Sequence, residues 1–449
     1  MTITAPHNGT QDVPDFIFGN YRFSADSGIL TLSYRFESGP DFIETIRFPM
    51  PIDLPGPRQA AADRAFQLIF WLAGVSYYKV HAGGIRILPG APFDSDTATF
   101  LQKVYTKGLA EFAYENGIDI RERVNFTGTG HMVPVPTAEL RDRALVPVGG
   151  GKDSIVSIEA LKAAGKDVTL FALGSASGPA QPIAETIRVS GLPHIYVERT
   201  LSPEIKKLND SGALNGHVPI TAILSAIAAA CAVLYDFNAI VLSNEHSASA
   251  PNVTEADGWD VNHQYSKSLA FERDFSQHLK THVAADLQYF SLLRPLTEVA
   301  IAKRFATHTA YHGIFRSCNT AFKQDVLSRR THWCNDCPKC RFVFLAMAPF
   351  TPKAHMIEIF GQNPLNEASQ TLGFQQLCGQ ADFKPFECVG EVSESRLLME
   401  KLSHDPAWTN DANVLVCAEK TQHFNSDFAA LFDMQPDHQV PPEYLKVLL

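Results

Sequence analysis

The sequence predicts an α/β fold built on a parallel sheet, and two observations indicate it. First, short apolar runs alternate with helical patterns: Val168–Gly174 and Ala239–Leu242 are typical of buried strands, and Ile220–Tyr235 is typical of a buried helix. Second, three glycines, Gly149 to Gly151, join a short apolar segment to an amphipathic helix. This rhythm predicts helices on both faces of the sheet and a ligand beyond the carboxyl ends of the strands.

The residues before the glycines predict a smaller α+β domain, residues 1–143. Residues 30–36 alternate apolar with polar side chains, residues 38–40 predict a turn, and residues 42–48 predict the returning strand. A proline-rich stretch precedes an expected helix whose inward face carries Phe66, Ile69, Phe70 and Ala73. A second helix is expected after Asp94, with the inward residues Leu101, Val104, Tyr105 and Phe112.

Two further regions follow. Residues 144–350 carry the strand–helix alternation, the three glycines and a cluster of cysteines, and we expect them to form the ligand-binding domain. Residues 351–449 predict a mostly helical region, in which residues 393–402 form the clearest amphipathic run. We expect this region to act as a lid or to bind an acceptor molecule.

The composition disfavours several classes of protein. The 449 residues carry a net charge of −10, whereas nucleic-acid binding draws its affinity largely from basic residues that neutralise phosphates. The first residues lack a basic segment followed by an apolar run, so no secretory signal is expected. The longest apolar stretch is broken by Asp236 and Asn238, which favours a helix and a strand over a membrane span. We therefore expect a cytoplasmic protein that binds neither nucleic acid nor membrane.

The glycine loop and the helix after it predict an anion-binding site. Glycines let successive backbone N–H groups converge, the helix N-terminus adds a positive dipole, and Ser154 can donate a hydroxyl. The spacing is not that of a Walker A loop, since Asp153 follows Gly151-Lys152, and it is not that of a dinucleotide-binding loop. An ordinary glycine-rich turn between a strand and a helix is the alternative.

Two other segments are expected beside this loop, because they follow neighbouring parallel strands. They are Ala172-Leu173-Gly174 and the polar run that begins at Ser243. The second segment contains Glu245 and His246, and a carboxylate beside an imidazole can supply a base or hold Mg²⁺. A solvated pair that caps a helix is an equally good interpretation.

Four cysteines lie close together in the sequence: Cys318, Cys334, Cys337 and Cys340. Four thiolates, three of them at C-x-x-C-x-x-C spacing, are the ligand set of a structural tetrahedral Zn²⁺ site, with His332 as a substitute ligand. A redox or sulfur-transfer pair and a coincidental cluster are the alternatives. The absence of a signal peptide argues against disulfides.

The loop Gly149-Gly150-Gly151-Lys152-Asp153-Ser154 resembles the S-G-G-x-D-S loop of the PP-loop ATP pyrophosphatase superfamily, whose fold is of the adenine nucleotide α-hydrolase type. It departs from that pattern at Gly149, which replaces the leading serine. The resemblance implies that ATP is cleaved between its α and β phosphates, with pyrophosphate held by the loop. It also implies that Ala172 to Gly174 border the adenine and that the segment from Ser243 faces the α-phosphate.

A closer resemblance covers nearly the whole chain. Four segments carry it, residues 74–79, 149–154, 243–249 and 333–340, and together they are similar to the ATP-dependent UDP-N-acetylmuramoyl-L-alanyl-L-glutamate epimerases of bacterial peptidoglycan synthesis. The resemblance implies a cell-wall isomerase that inverts the terminal L-glutamate of a UDP-linked muramoyl dipeptide. It further implies ATP as co-substrate, Mg²⁺, and release of AMP and pyrophosphate.

On this interpretation one site performs adenylation, proton exchange and hydrolysis. His246 is the first candidate for the proton exchange, Glu245 is the second, and Lys152 is expected to steady the phosphates. Other readings stay open: an adenylating enzyme that makes an amide or a nitrile or thiolates another acceptor, or a nucleotide-binding protein without turnover.

Overall fold

The computed structural model describes residues 13–87, 93–128, 130–131, 135–323, 328–381, 385–420 and 427–449. The strands in the described ranges are β1 Phe16–Ser24, β2 Ile29–Phe36, β3 Asp41–Arg47, β4 Ile85–Ile87, β5 Ala144–Pro147, β6 Val168–Gly174, β7 His194–Thr200, β8 Ala239–Leu242, β9 Val253–Thr254, β10 Asp260–Val261 and β11 Gln288–Ser291. The first ten helices are α1 Gly56–Ala73, α2 Val75–Tyr78, α3 Ser95–Lys107, α4 Ala110–Asn116, α5 Lys152–Ala163, α6 Gln181–Ser190, α7 Glu204–Asp210, α8 Ile220–Tyr235, α9 Leu269–His282 and α10 Glu298–Phe305. The remaining ones are α11 Pro338–Met347, α12 Lys353–Phe360, α13 Thr371–Leu377, α14 Val392–Ser403, α15 Ala412–Glu419 and α16 Pro442–Leu445.

One mixed sheet runs through the molecule in the order β11-β8-β5-β6-β7-β3-β2-β1-β4. The five strands from β11 to β7 are parallel, as the alternation of apolar and helical patterns predicts. Strands β3, β2 and β1 continue the sheet in antiparallel order, and β4 closes it parallel to β1. The α/β class is therefore confirmed, with a sheet that is mostly parallel.

Several predicted elements are found at the predicted residues. Strands β2 and β3 pair as the expected antiparallel ribbon, and β6, β8 and α8 have the predicted bounds. Helix α14 covers the amphipathic run of the C-terminal region. Asp94 caps α3 by accepting a hydrogen bond of 2.8 Å from the Thr97 amide. Phe112 is buried as expected, but it lies on α4 because α3 ends at Lys107.

The N-terminal strands join the parallel strands directly, which the alternation within each strand did not indicate. At the junction, residues 45–47 of β3 pair with residues 198–200 of β7. Glu44 is fully buried there and forms an ion pair of 2.7 Å with Arg199, while the Tyr77 hydroxyl donates to the same carboxylate at 2.8 Å. The division at residue 143 stays a prediction, and one sheet spans it.

Two layers of apolar side chains cover the sheet. The first contains α1, α3 and α8 with the N-terminal strands, and the second contains α5, α10 and the C-terminal helices α11 and α14. Helices thus lie on both faces, and the carboxyl ends of β5, β6, β8 and β11 are left at one edge. Among the described residues, no helix is long and apolar enough to cross a membrane.

Candidate active site

The glycine loop lies between β5 and α5, at the carboxyl edge of the sheet. Gly151 is the extended N-cap of α5, and Gly150 has a left-handed φ of 74°. A β-carbon on Gly150 would lie 2.8 Å from the Cβ of Pro182, whereas one on Gly149 would meet nothing within 4 Å. Gly150 is therefore needed for the turn, and the space at Gly149 is open toward the N-terminus of α5.

A second segment holds the loop from the other side. The Arg316 amide donates a hydrogen bond of 2.9 Å to the Gly150 carbonyl, and the Ser154 hydroxyl donates to the Gly151 carbonyl at 3.2 Å. Cys318 follows two residues after Arg316 and belongs to the predicted cysteine cluster. The segment from Arg316 to Cys318 thus links the cysteine cluster to the glycine loop.

Lys152 points into the protein and not toward solvent. Its ammonium forms ion pairs with Asp153 and with Glu298 of α10, and only 4% of its side chain is exposed. Burial opposes the charge of Lys152, but Asp153 and Glu298 outweigh burial and raise its pKa above the ordinary value. Lys152 thus pairs with Asp153 at the first turn of α5, and its role in steadying phosphates stays a prediction.

Several carboxyl groups lie around Lys152. Burial raises the pKa of Glu298, and Asp153, Glu245 and Glu394 add to the effect against the pull of Lys152. Burial also raises the pKa of Glu394 to about 7, although this carboxylate accepts hydrogen bonds from the Glu391 and Val299 amides, at 2.8 and 3.2 Å. The edge of the sheet therefore gathers several carboxyl groups, and burial favours the protonated form of Glu298 and Glu394.

The end of β6 lies beside the loop, and the segment after β8 lies beside α5. The Val148 amide donates to the Phe171 carbonyl at 2.9 Å, so the end of β6 lies directly beside the loop. Ala172 is buried, while Leu173 and Gly174 are half-buried. The Ser243 hydroxyl donates to the Ser157 hydroxyl of α5 at 2.8 Å. All three predicted segments are thus gathered at one edge.

Glu245 and His246 do not act as the adjacent pair that the sequence suggested. Glu245 has an extended backbone, so the two side chains leave in opposite directions. Glu245 is buried and influences Glu298 and Lys267. His246 lines a pocket of about 460 Å³ together with Tyr265 and Arg294. The roles predicted for His246 and Glu245 in proton exchange stay predictions.

Arg294 ties these elements together, and sequence reasoning missed it. Its buried guanidinium pairs with Glu272 of α9 at 2.9 Å and also donates to the carbonyls of Glu245 and Lys267. Glu298, Glu394 and Lys267 were missed as well, because each lies in an unremarkable stretch of sequence. The available signal was an arginine directly after Leu292-Leu293, shortly beyond the end of a buried strand.

The four predicted cysteines are brought together. Their sulfur atoms all lie within 4.8 Å of one another, with separations of 3.6 Å for Cys334–Cys340, 3.4 Å for Cys337–Cys340 and 4.0 Å for Cys318–Cys337. Four sulfurs about 2.3 Å from one Zn²⁺ would lie about 3.8 Å apart on a tetrahedron. The thiols thus fit a zinc ion, and the exposed His332 lies outside the group.

A second polar group was not predicted from the sequence. Glu111 of α4 is hydrogen-bonded to Nδ1 of His263, and the ring of His217 lies 4.4 Å from that of His263, centroid to centroid. Cys388 contacts both His263 and Lys267. A single cysteine outside any metal-binding spacing carries no sequence signal, so only the fold could identify this group.

Comparisons with known proteins match nearly the whole chain. Residues 7–292 match the family model of the MurL N-terminal domain, and residues 314–430 match that of the MurL C-terminal domain. The chain is 41% identical over 438 residues to the UDP-N-acetyl-alpha-D-muramoyl-L-alanyl-L-glutamate epimerase of Xanthomonas oryzae pv. oryzae, with 96% of each chain covered. Proteins of the same name from a Micromonospora species and from Salinispora tropica are 39% and 41% identical, over 99% and 91% of this chain and 99% and 89% of their own.

Proposed function

This chain belongs to the MurL family, and on that premise we propose that it inverts the terminal L-glutamate of UDP-N-acetylmuramoyl-L-alanyl-L-glutamate to D-glutamate. The observation that carries the proposal is the 41% identity over 96% of both chains to an epimerase named for that substrate. The product would serve cell-wall synthesis. Because the substrate is a nucleotide-linked precursor, we place the reaction in the cytoplasm.

We further propose that the chain uses ATP in the manner of PP-loop enzymes. Three features support this: the open space at Gly149, the N-terminus of α5 behind it, and the segments after β6 and β8 on either side. Pyrophosphate would leave into the glycine loop, beside Asp153 and Ser154. Ala172, Leu173, Gly174 and Ser243 would border the adenosine.

Adenylation answers the chemical difficulty of the reaction. Removing the α-proton beside an ionised carboxylate places two negative charges on adjacent atoms, which is prohibitive near neutral pH. When a carboxylate oxygen attacks the α-phosphorus and pyrophosphate leaves, the carboxylate becomes a neutral acyl group and its α-proton becomes far more acidic. Exchange of the proton and hydrolysis of the acyl–phosphate bond by water then give AMP and the UDP-linked dipeptide ending in D-glutamate.

The chain's own residues would divide these tasks. Lys152 holds Asp153 and Glu298 in place at the first turn of α5, and Arg294 holds the backbone of Glu245 at the end of β8. His246 and Glu245 are proposed to exchange protons with the substrate. Since the two side chains diverge, we assign them to separate faces of the reacting carbon and not to one relay.

Two metals are included in the proposal. Mg²⁺ would enter with ATP and neutralise phosphate charge, and Asp153 and Glu245 are the carboxylates near the loop that could offer it oxygen ligands. Zn²⁺ would be held by Cys318, Cys334, Cys337 and Cys340 as a brace for the Arg316 segment against the glycine loop.

The proposal is tested by incubating the protein with ATP, Mg²⁺ and the L-glutamate substrate in D₂O. AMP, pyrophosphate, the chirality of glutamate and deuterium at its α-carbon are followed together. We expect AMP and deuterated D-glutamate in equal amounts. ATP binding without AMP and without exchange would contradict the proposal.

Variants of the loop connect the reaction to the site. Asp153→Ala and Ser154→Ala are each expected to lower pyrophosphate release at least ~100-fold, because electrostatic and hydrogen-bonding groups at a transition state contribute about that much. The control is Ser177→Ala, in the exposed turn after β6. Unchanged pyrophosphate release in both loop variants would refute the assignment of the glycine loop.

A further inference from the structure

A glutamate, a histidine and a cysteine lie in sequence beside the candidate active site. The Glu111 carboxylate is bonded to Nδ1 of His263, which leaves Nε2 of that ring for a second partner. The Cys388 thiol is within hydrogen-bonding reach of the same ring. Only 7% of the Glu111 side chain and 17% of the His263 side chain are exposed. This is the order of a cysteine, a base and a group that orients the base.

The group is connected to the glycine loop through Lys267. The Lys267 ammonium lies 3.2 Å from the Cys388 sulfur, and it also interacts electrostatically with Glu245 and Asp153. The Lys267 carbonyl accepts from Arg294, the residue that binds the Glu245 carbonyl. Glu387 next to Cys388 pairs with Lys339 at 3.3 Å, on the first turn of α11. Cys388 therefore lies on the reacting side of the sheet, with a cation between it and the carboxylates.

The surroundings favour a thiolate beside an imidazolium. Burial favours the neutral thiol, but Lys267 and then His263 outweigh it and lower the pKa of Cys388 to about 6. Burial also opposes the charge on His263, yet Cys388 and Glu111 raise its pKa to about 9. His217, whose ring is tilted by 45° against that of His263, stays neutral because burial and the charge of His263 lower its pKa to about 4. Lys339 adds a further positive charge near the thiol.

We propose that Cys388, in the place assigned above to Glu245, is one of the two proton-exchanging groups of the epimerisation, with His263 and Glu111 as its positioning residues. The proposal rests on the proposed function. The thiolate takes the α-proton of the activated glutamyl group, the Cα–H electron pair moves into the enolate of the acyl group, and Cys388 becomes a neutral thiol. A donor on the opposite face, the role proposed for His246, returns a proton to the α-carbon. A base whose pKa is near the working pH is suited to this step.

Separate assays of the two half-reactions test the proposal. Substrate-dependent exchange between pyrophosphate and ATP reports adenylation, and uptake of deuterium at the α-carbon reports proton exchange. We expect Cys388→Ala to keep the first within about threefold and to lose the second at least ~100-fold. Cys231→Ala is the control, because Cys231 is buried among alanines on α8, and both assays should match the wild type.

His263 has its own readout. Without the imidazolium the thiolate is less stabilised, so in His263→Gln the acid limb of deuterium uptake should move to higher pH. A purely structural role would lower uptake equally at every pH. If Cys388→Ala does not fold, alkylation of the wild type by iodoacetamide replaces it. Alkylation at Cys388 should then abolish deuterium uptake, and bound substrate should slow it.

The outcomes separate the two proposals. Wild-type deuterium uptake in folded Cys388→Ala, or equal loss of both half-reactions, would overturn the role of Cys388. If the wild-type protein takes up deuterium at the full rate in the absence of ATP, adenylation is refuted. The comparison with Cys388→Ala would still show whether Cys388 is the base. A wild type that exchanges no α-proton under any of these conditions would overturn both.

Discussion

Gly149 and Gly150 are neighbours in the loop, but they differ in backbone conformation and in the space around them. Gly150 has a left-handed φ and packs against the backbone at Pro182, whereas Gly149 faces open space. We predict that Gly150→Ala lowers the free energy of unfolding by about 1–3 kcal/mol, because an L-residue is strained in that conformation and its β-carbon has no room.

Gly149→Ala is the matched control and should change stability by less than about 0.5 kcal/mol. Denaturant unfolding of both variants measures the difference. Equal losses would mean that the turn at residue 150 is not what shapes the loop. Because Gly149 is open, a loss of pyrophosphate release in Gly149→Ala without a loss of stability would point to contact with a ligand.

Glu394 makes stability depend on pH in a predictable direction. Its pKa is about 7 in the folded chain because it is buried, against an ordinary value of 4.5, so the folded state binds the proton more tightly. The stabilising contribution is complete below the ordinary pKa and is lost as the pH rises through 7. We predict that wild-type stability relative to Glu394→Gln falls by up to about 3 kcal/mol between pH 4.5 and pH 8.

Urea unfolding at several pH values checks this slope. Glu400→Gln, on the same helix, controls for the general effect of removing one carboxylate. A wild type and a Glu394→Gln variant with parallel pH profiles would show that burial does not hold the proton on Glu394.

At the scale of elements, the four cysteines join the first turn of α11 to the segment that holds the glycine loop. We predict one Zn²⁺ per chain, and we expect Cys334→Ser and Cys337→Ser each to lose zinc and to lower the melting temperature by on the order of 5 °C or more. The physical reason is that the metal binds the folded arrangement of thiolates and not the unfolded chain. Metal analysis and thermal melting of the purified proteins measure the two effects.

Cys231→Ala again serves as the control, since it removes a thiol far from the cluster in sequence and on another helix. A protein that folds normally without bound zinc would instead favour the redox or sulfur-transfer interpretation of the four cysteines. In that case a folded Cys337→Ser protein would lose turnover while keeping its melting temperature.

At the scale of the whole molecule, the junction of β3 and β7 makes the sheet continuous. It carries one buried ion pair, Glu44–Arg199, and one exposed pair, Arg47–Glu198, with nitrogen–oxygen distances of 2.7 and 3.6 Å. We predict that Arg199→Met destabilises the chain by about 3–5 kcal/mol, because it leaves Glu44 buried without its partner. The double change Glu44→Gln and Arg199→Met should recover most of that loss.

Arg47→Ala, across the same junction, should cost less than about 1 kcal/mol because its pair is exposed to solvent. Equilibrium unfolding in urea measures all four proteins. If the Arg199→Met and Arg47→Ala proteins had equal free energies of unfolding, the buried ion pair would contribute no more to stability than the exposed pair.

Much of the fold followed from local patterns. The period of two predicted β2 and β3, and the apolar runs predicted β6, β8 and α8 at their exact bounds, because each pattern reports which faces are buried. The glycine loop, the segments beside it and the cysteine cluster were likewise identified, since glycine backbones and thiol spacing carry local chemical meaning.

Only the tertiary structure decided the rest. The joining of β3 to β7, the inward turn of Lys152 toward Glu298, and the divergence of Glu245 and His246 depend on contacts between distant residues. The residues Glu111, His263 and Cys388 come from one helix and two loops with no shared motif. The sequence by itself determined the elements and the loop that could hold phosphate, because these need only neighbours along the chain. The fold determined which charges meet, because burial and distance exist only once the elements are packed.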